Sequence, residues 1–275
     1  MAHRAAGGAG VRVALPHGMT RRWILPREHG AYFQLGIPLI TAYLRCAANV
    51  AMAELTLAAA LAFLANEPLL VVLGHRGRRR YEQAGDRARL RLAVLIPAAI
   101  ALAVVGLLRA PWAAAVLAGG VAVPAVAVFA LAWRRAEHTC AGELITAVAL
   151  TGAAAPVLVA GGTAPGAALA IWLGWSLGFA ATGLAVRRVI ARHKRQPRAP
   201  WPLGWILGPA LVATAVGCAV VGERVPGIAI AAPLAALAAV LVIAHPAATR
   251  LRAIGVAIAV AAAGSGAVAM LAFAR

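Results

Sequence analysis

Eight carboxylates stand against 26 Lys and Arg in the 275-residue chain, so each acid can be weighed by its surroundings. Glu28 and His29 lie side by side in PREHGAY, directly ahead of an apolar stretch. After Pro26, Glu28 falls in a first helical turn, where the helix dipole favours a carboxylate by about 0.3–1 kcal/mol. An imidazole beside a carboxylate and close to basic loops can also position or protonate an anionic substrate, so helix start and ligand contact both stay open. Glu67 in LANEPLL and Glu143 in CAGELI are stranger, because each sits inside an apolar segment. A carboxylate at membrane depth costs about 2.5–3.5 kcal/mol on insertion scales, so it usually faces a bundle interior and has a partner. Arg76, Arg134 and Arg135 are the candidate partners. A structural ion pair is one outcome and a site on an internal cavity the other. If the protein is catalytic, Glu28, His29, Glu67 and Glu143 are its acid–base candidates. Arg76, Arg79, Arg80, Arg134, Arg135, Arg187 and Arg188 are the groups that would hold an anionic lipid head.

Two basic stretches frame these residues. In HRGRRRYEQAGDRARLR, Glu82 and Asp86 are four apart and share a helix face. Such a pair could hold Mg²⁺ on a diphosphate, but seven arginines surround it, which favours a solvated, salt-bridged helix. The stretch VRRVIARHKRQPRAP has no acid. It could hold phosphate directly through Arg187, Arg188, Arg192 or Lys194 but offers no carboxylate to a metal. Cys46, Cys140 and Cys218 form no CxxC pair, so neither a disulfide framework nor a zinc site is indicated, and no protein-bound metal is assigned. They read as small core residues.

The elements that position these groups are membrane helices. Hydrophobic residues make up 63% of the chain and charged ones 12%, and the mean hydropathy is +0.86, outside the range of soluble domains. Nine apolar segments are each long enough to cross a bilayer: 30–47, 51–73, 92–108, 111–132, 140–161, 165–186, 203–221, 226–244 and 253–274. The short alternating segments of a β-barrel are absent, so the fold class is all-α, a polytopic membrane helical bundle. Residues 1–22 read as a disordered basic tail with no signal-peptide core, with Met19 as an alternative start, and 23–275 as the bundle. Of the 26 Lys and Arg, 22 fall in the N-terminal stretch and in alternate loops. The positive-inside rule places those in the cytoplasm and, with an odd number of helices, the C-terminus outside. Pro111, Pro165 and Pro226 each start a helix returning from an outer turn, which suggests a succession of hairpins. Small residues at Gly174 and Gly178, and at Gly204 and Gly208, would permit close helix contacts. Trp112, Trp133, Trp201 and Trp205 sit at segment ends as interfacial anchors. The basic loops carry no nucleic-acid recognition motif, so the expected partner is a membrane lipid or isoprenoid.

Two resemblances extend this reading. PREHGAY, a first helix ending near Arg45, NEPLLVVLGHRGRRR at the end of the second and GLAVRRVI at the end of the sixth resemble the YwiC-like family of bacterial membrane proteins, with Tyr32 where that family more often has Trp. The family implies an inner-membrane location and no assigned activity. The nine-helix order, with polar loops after helices two, four, six and eight, is similar to UbiA-type intramembrane prenyltransferases. That likeness implies a bundle holding an isoprenyl diphosphate through Mg²⁺ and two aspartate-rich motifs. This chain departs from both motifs: Arg78, Glu82 and Asp86 stand at the first, and basic residues at the second. The combined expectation is a cytoplasmic-facing cavity that binds or modifies an anionic isoprenoid or lipid. The alternative is a small-molecule transporter or an assembly factor without catalysis. Pro38, Pro97, Pro124 and Pro156 lie inside helices, as transporter helices allow, but no inverted repeat accompanies them.

Overall fold

The computed structural model describes residues 29–136, 138–193, 203–221 and 225–272; the tail over 1–22, Glu28 and Lys194 lie outside them. Among the described residues there is no strand. The helices are α1 (His29–Arg45), α2 (Val50–Val72), α3 (Arg78–Arg109), α4 (Trp112–Trp133), α5 (Cys140–Gly152), α6 (Ala154–Ala160), α7 (Pro165–His193), α8 (Leu203–Val221), α9 (Pro226–Ala244) and α10 (Leu251–Ala272). Since α5 and α6 are two halves of one rod, the described helices form nine rods, as the hydropathy pattern predicts. Seven are long and apolar enough to cross a membrane. The α5/α6 break has a local cause. Pro156 cannot donate to the Gly152 carbonyl and its ring crowds that oxygen, so the rod restarts at Ala154 with Pro156 in the new first turn.

One boundary differs from expectation. The third apolar segment covers 92–108, but the basic stretch ahead of it, which the Glu82–Asp86 spacing marks as a salt-bridged helix, continues into it as one helix: α3 runs 32 residues from Arg78, about 48 Å at the usual rise. Its polar turns are held by Arg78 to Glu82 at 2.8 Å and Arg89 to Asp86 at 3.5 Å. Arg89 also donates to the Tyr81 hydroxyl and lies over its ring. Helix spacing supplies partners for these charges that a loop would leave to water.

Packing within the hairpin order is uneven. The α3 helix lies along α2 across the basic corner and touches α4 sparsely across the outer turn. Gly106 makes the α2–α3 approach close, since a Cβ there would stand 2.9 Å from Leu55. The α9 helix is the centre of the other half, packed against α7, α8 and α10. A Cβ on Gly174 would lie 2.5 Å from the Gly227 carbonyl oxygen, and Gly178 and Gly208 also face α9 closely. Small residues thus bring the backbones together, as they do where lipid replaces water as solvent. Trp175, Met52, Leu158, Ile171 and Ile230 fill the core. Val94, Ile100 and Val104 of α3 and Val116, Val123 and Val126 of α4 point outward, suited to acyl chains. Trp112 and Trp133 are largely exposed at the ends of α4, where an indole can sit between lipid and water.

Candidate functional site

Most of the sequence-selected groups gather at the basic end, where α2, α4 and α7 finish and α1 and α5 begin. The α2–α3 corner there is built on a left-handed glycine. Gly74 has φ 76°, and the His75 and Gly74 amides donate back to the Leu70 and Val71 carbonyls, both at 3.0 Å. This double bond pattern satisfies the last carbonyls of α2 and turns the chain sharply. It brings Arg76 back over Glu67: Arg76 Nε donates to Oε1 at 3.0 Å and Nη2 to Oε2 at 2.5 Å. The Glu67 side chain is 4% exposed and that of Arg76 23%. Of the two outcomes open for Glu67, the structure gives the ion pair.

The α4–α5 corner uses the same cap with a different residue. Arg135 stands at φ 56°; its amide donates to Ala132 at 2.9 Å, and that of Ala136 to Leu131 at 2.8 Å. Thr139 then caps α5, accepting from the Gly142 amide at 3.1 Å. Because α5 begins at Cys140, Glu143 falls in its first turn, where the helix dipole favours a carboxylate. It is therefore shallower than the sequence suggested, and its partner is also different. Arg187 of α7, rather than Arg76, Arg134 or Arg135, meets Glu143 at 2.6 Å, with side-chain exposures of 29% and 44% respectively. The same Arg187 Nη1 donates to the His138 carbonyl at 3.0 Å.

Beneath this pair lies a cavity of about 250 Å³. Its polar lining includes Gln34 of α1, Asn66 of α2, Thr146 and Glu143 of α5 and Arg187 of α7. Its apolar wall includes Leu70, Val128, Leu144, Phe179 and Leu184. Gly30 and Ala31 of α1 also line it; His29 is the first residue of α1, and Glu28 lies outside the described residues. One turn beyond the cavity floor at Ala147, Thr151 and Ser176 are hydrogen-bonded at 3.0 Å, both buried, just before the break between α5 and α6. Glu67, Arg76, Arg79, Arg80, Arg134 and Arg135 lie at the same end but do not line the cavity, and Arg188 points elsewhere. Sequence reasoning missed Gln34 and Phe179. The signal for Gln34 was a lone amide inside an apolar segment; Phe179 carried none.

The Mg²⁺ implied by the prenyltransferase likeness does not fit these residues. Glu82 and Asp86 sit on the outer face of α3, with side chains 58% and 101% exposed, and each already pairs with an arginine. Neither lines the cavity, and among the described residues no three His, Cys, Asp or Glu side chains converge.

The fold and this site define a multi-pass helical membrane protein with an amphipathic cavity at its basic end. A family model described as YwiC-like protein matches residues 25–159. Over that stretch, just under half of the chain, the protein is similar to the YwiC-like family. The match takes in the Glu67 pair and the α5 side of the cavity and stops before Arg187. No curated protein and no solved structure matches the chain.

Proposed function

We propose that this is a bacterial inner-membrane protein whose cavity receives the head of an anionic isoprenoid or lipid, with the basic end and N-terminus in the cytoplasm and the C-terminus outside. The charge asymmetry of the loops supports the orientation. The observation that carries the ligand reading is the cavity itself: apolar walls from four helices, with Arg187 and Glu143 at a mouth that reaches solvent. Arg187 can exchange its carboxylate partner for a phosphate or carboxylate on the ligand, which offers the same fork geometry. Glu143, released by that exchange, would then lie next to the head group as an acid or base. The buried Glu67 is occupied by Arg76 and has no part in this reading.

The test is native mass spectrometry of the full chain in lipid nanodiscs with farnesyl phosphate and with farnesol. Gly183 lines the cavity and has open space where a Cβ would go, so Gly183→Leu fills the cavity without a backbone clash. Wild type should retain the phosphate, Arg187→Gln should weaken it by about tenfold or more, and Gly183→Leu should abolish it. Equal retention by wild type and Gly183→Leu would sink the proposal. The break between α5 and α6 favours a second reading, transport, because interrupted helices beside buried hydroxyls are a feature of carriers. Uptake of farnesyl phosphate by proteoliposomes, lost in Pro156→Ala, would support that reading over simple binding.

A further inference from the structure

Arg187 and Arg188 are neighbours in sequence, so on α7 they point about 100° apart. Arg187 faces α5, and Arg188 faces α9 across a second pocket of about 340 Å³. Arg192, one turn further on, shares the Arg188 face, and His245 closes the pocket from the end of α9. His245 is held there by its backbone: φ 48° and ψ 54° end α9 in a left-handed cap, and Pro246 follows. Val189 and Leu241 provide the apolar part of the lining. No carboxylate among the described residues lines this pocket.

Three basic side chains converging from two helices make a site of positive potential at the membrane boundary. We propose that this pocket is a second anion site, taking one phosphate group between the Arg188 and Arg192 guanidiniums and the His245 imidazole. Guanidinium forks match tetrahedral phosphate oxygens, and basic pockets between helices at a cytoplasmic face suit phosphorylated head groups. The apolar lining of Val189 and Leu241 is too small to house an acyl or isoprenyl tail, so the site takes a head whose tail stays in the bilayer, or a free phosphate. The mutual crowding of these charges is visible at His245, whose pKa is pushed below 6.5 by burial and then by Arg192 and Arg188. The site does not depend on the ligand proposed for the first cavity.

Binding is measured on the full chain in nanodiscs, once in phosphatidylcholine with added inorganic phosphate and once in phosphatidylglycerol without it, by native mass spectrometry and thermal shift. Stabilisation by inorganic phosphate assigns a free phosphate, and stabilisation by phosphatidylglycerol alone assigns a lipid head; each supports the site. Arg192→Gln, an exposed substitution, should weaken that binding by about tenfold and Arg188→Gln by at least as much. Arg79→Gln, on the exposed start of α3, removes the same charge outside the pocket and should leave it unchanged. Binding of neither probe overturns the proposal, and so does an equal loss in Arg79→Gln and Arg192→Gln, which would mean general charge attraction. Because Arg192 is exposed, its variant keeps the test decisive even if Arg188→Gln does not fold.

Discussion

The two corners at the basic end, α2 to α3 and α4 to α5, are built alike and differ in how far water reaches them. Each ends its first helix with the same double-bonded cap, and each carries a glutamate–arginine pair of nearly the same length, 2.5 Å at Glu67 and 2.6 Å at Glu143. At the first corner the left-handed residue is Gly74 and the acid is buried. At the second it is Arg135, and the acid is 44% exposed beside a cavity. Distance therefore does not distinguish a staple from a latch; burial does. A pair withdrawn from water depends on both partners, because either alone is a buried charge. A pair that water reaches loses little when opened, and a ligand can open it.

The largest effect should come from the staple. Glu67→Gln leaves Arg76 facing a neutral amide within a mostly buried site and should lower stability by about 3 kcal/mol, measured by SDS-induced unfolding in bicelles. The double variant Glu67→Met/Arg76→Met removes both charges and should recover at least half of that loss. If the single variant costs nothing, the two corners are not distinguished by burial after all. Next in size is the cap at the other corner. A side chain in the left-handed region costs about 1 kcal/mol that glycine avoids, so Arg135→Gly should raise stability by about that amount. No rise would mean that contacts of the Arg135 side chain offset the backbone cost. Glu143→Gln follows, with a stability loss below about 1 kcal/mol. A loss as large as that of Glu67→Gln would remove Glu143 from the role of latch.

How much of this was legible in the sequence depends on how local each feature is. The nine rods follow from runs of apolar residues, and Pro111, Pro165 and Pro226 mark turns because proline fits the start of a helix. Glu67 with Arg76 was also within reach, since the partners are nine residues apart and joined by one corner. The Glu143–Arg187 pair was not, because α7 arrives from 44 residues away and its rotation is set by glycine contacts with α9. The same rotation divides Arg187 from Arg188, which the sequence presents as one basic cluster. The helix over the basic stretch was legible, because Glu82 and Asp86 fall at helical spacing, but its continuity with the apolar segment at 92–108 has no local signal. Of PREHGAY, Gly30 and Ala31 line the cavity, while Glu28 lies outside the described residues.

The smallest expected effect concerns a third corner, at the end of α9, where the left-handed residue is His245 and the pocket lining holds Arg188 and Arg192 but no carboxylate among the described residues. Burial, Arg192 and Arg188 together lower its pKa from 6.5, so the folded protein favours the neutral imidazole. As pH falls through 6.5 the unfolded chain takes up a proton that the folded chain resists. Stability from this group is therefore complete above pH 6.5 and is lost progressively as pH falls toward the lowered value. Thermal unfolding between about pH 8 and about pH 5.5 should show this acid-side loss in wild type and a smaller one in His245→Gln. Arg192→Gln should also reduce it, because it removes one of the charges that oppose protonation. Added inorganic phosphate, if it occupies the pocket, should flatten the wild-type profile by bringing negative charge next to the imidazole, and should leave that of His245→Gln nearly unmoved. An identical pH profile in wild type and His245→Gln would place the imidazole outside the influence of the arginines. The α9 corner would then offer two cationic groups rather than three, a weaker counterpart to the balanced pair at Glu143.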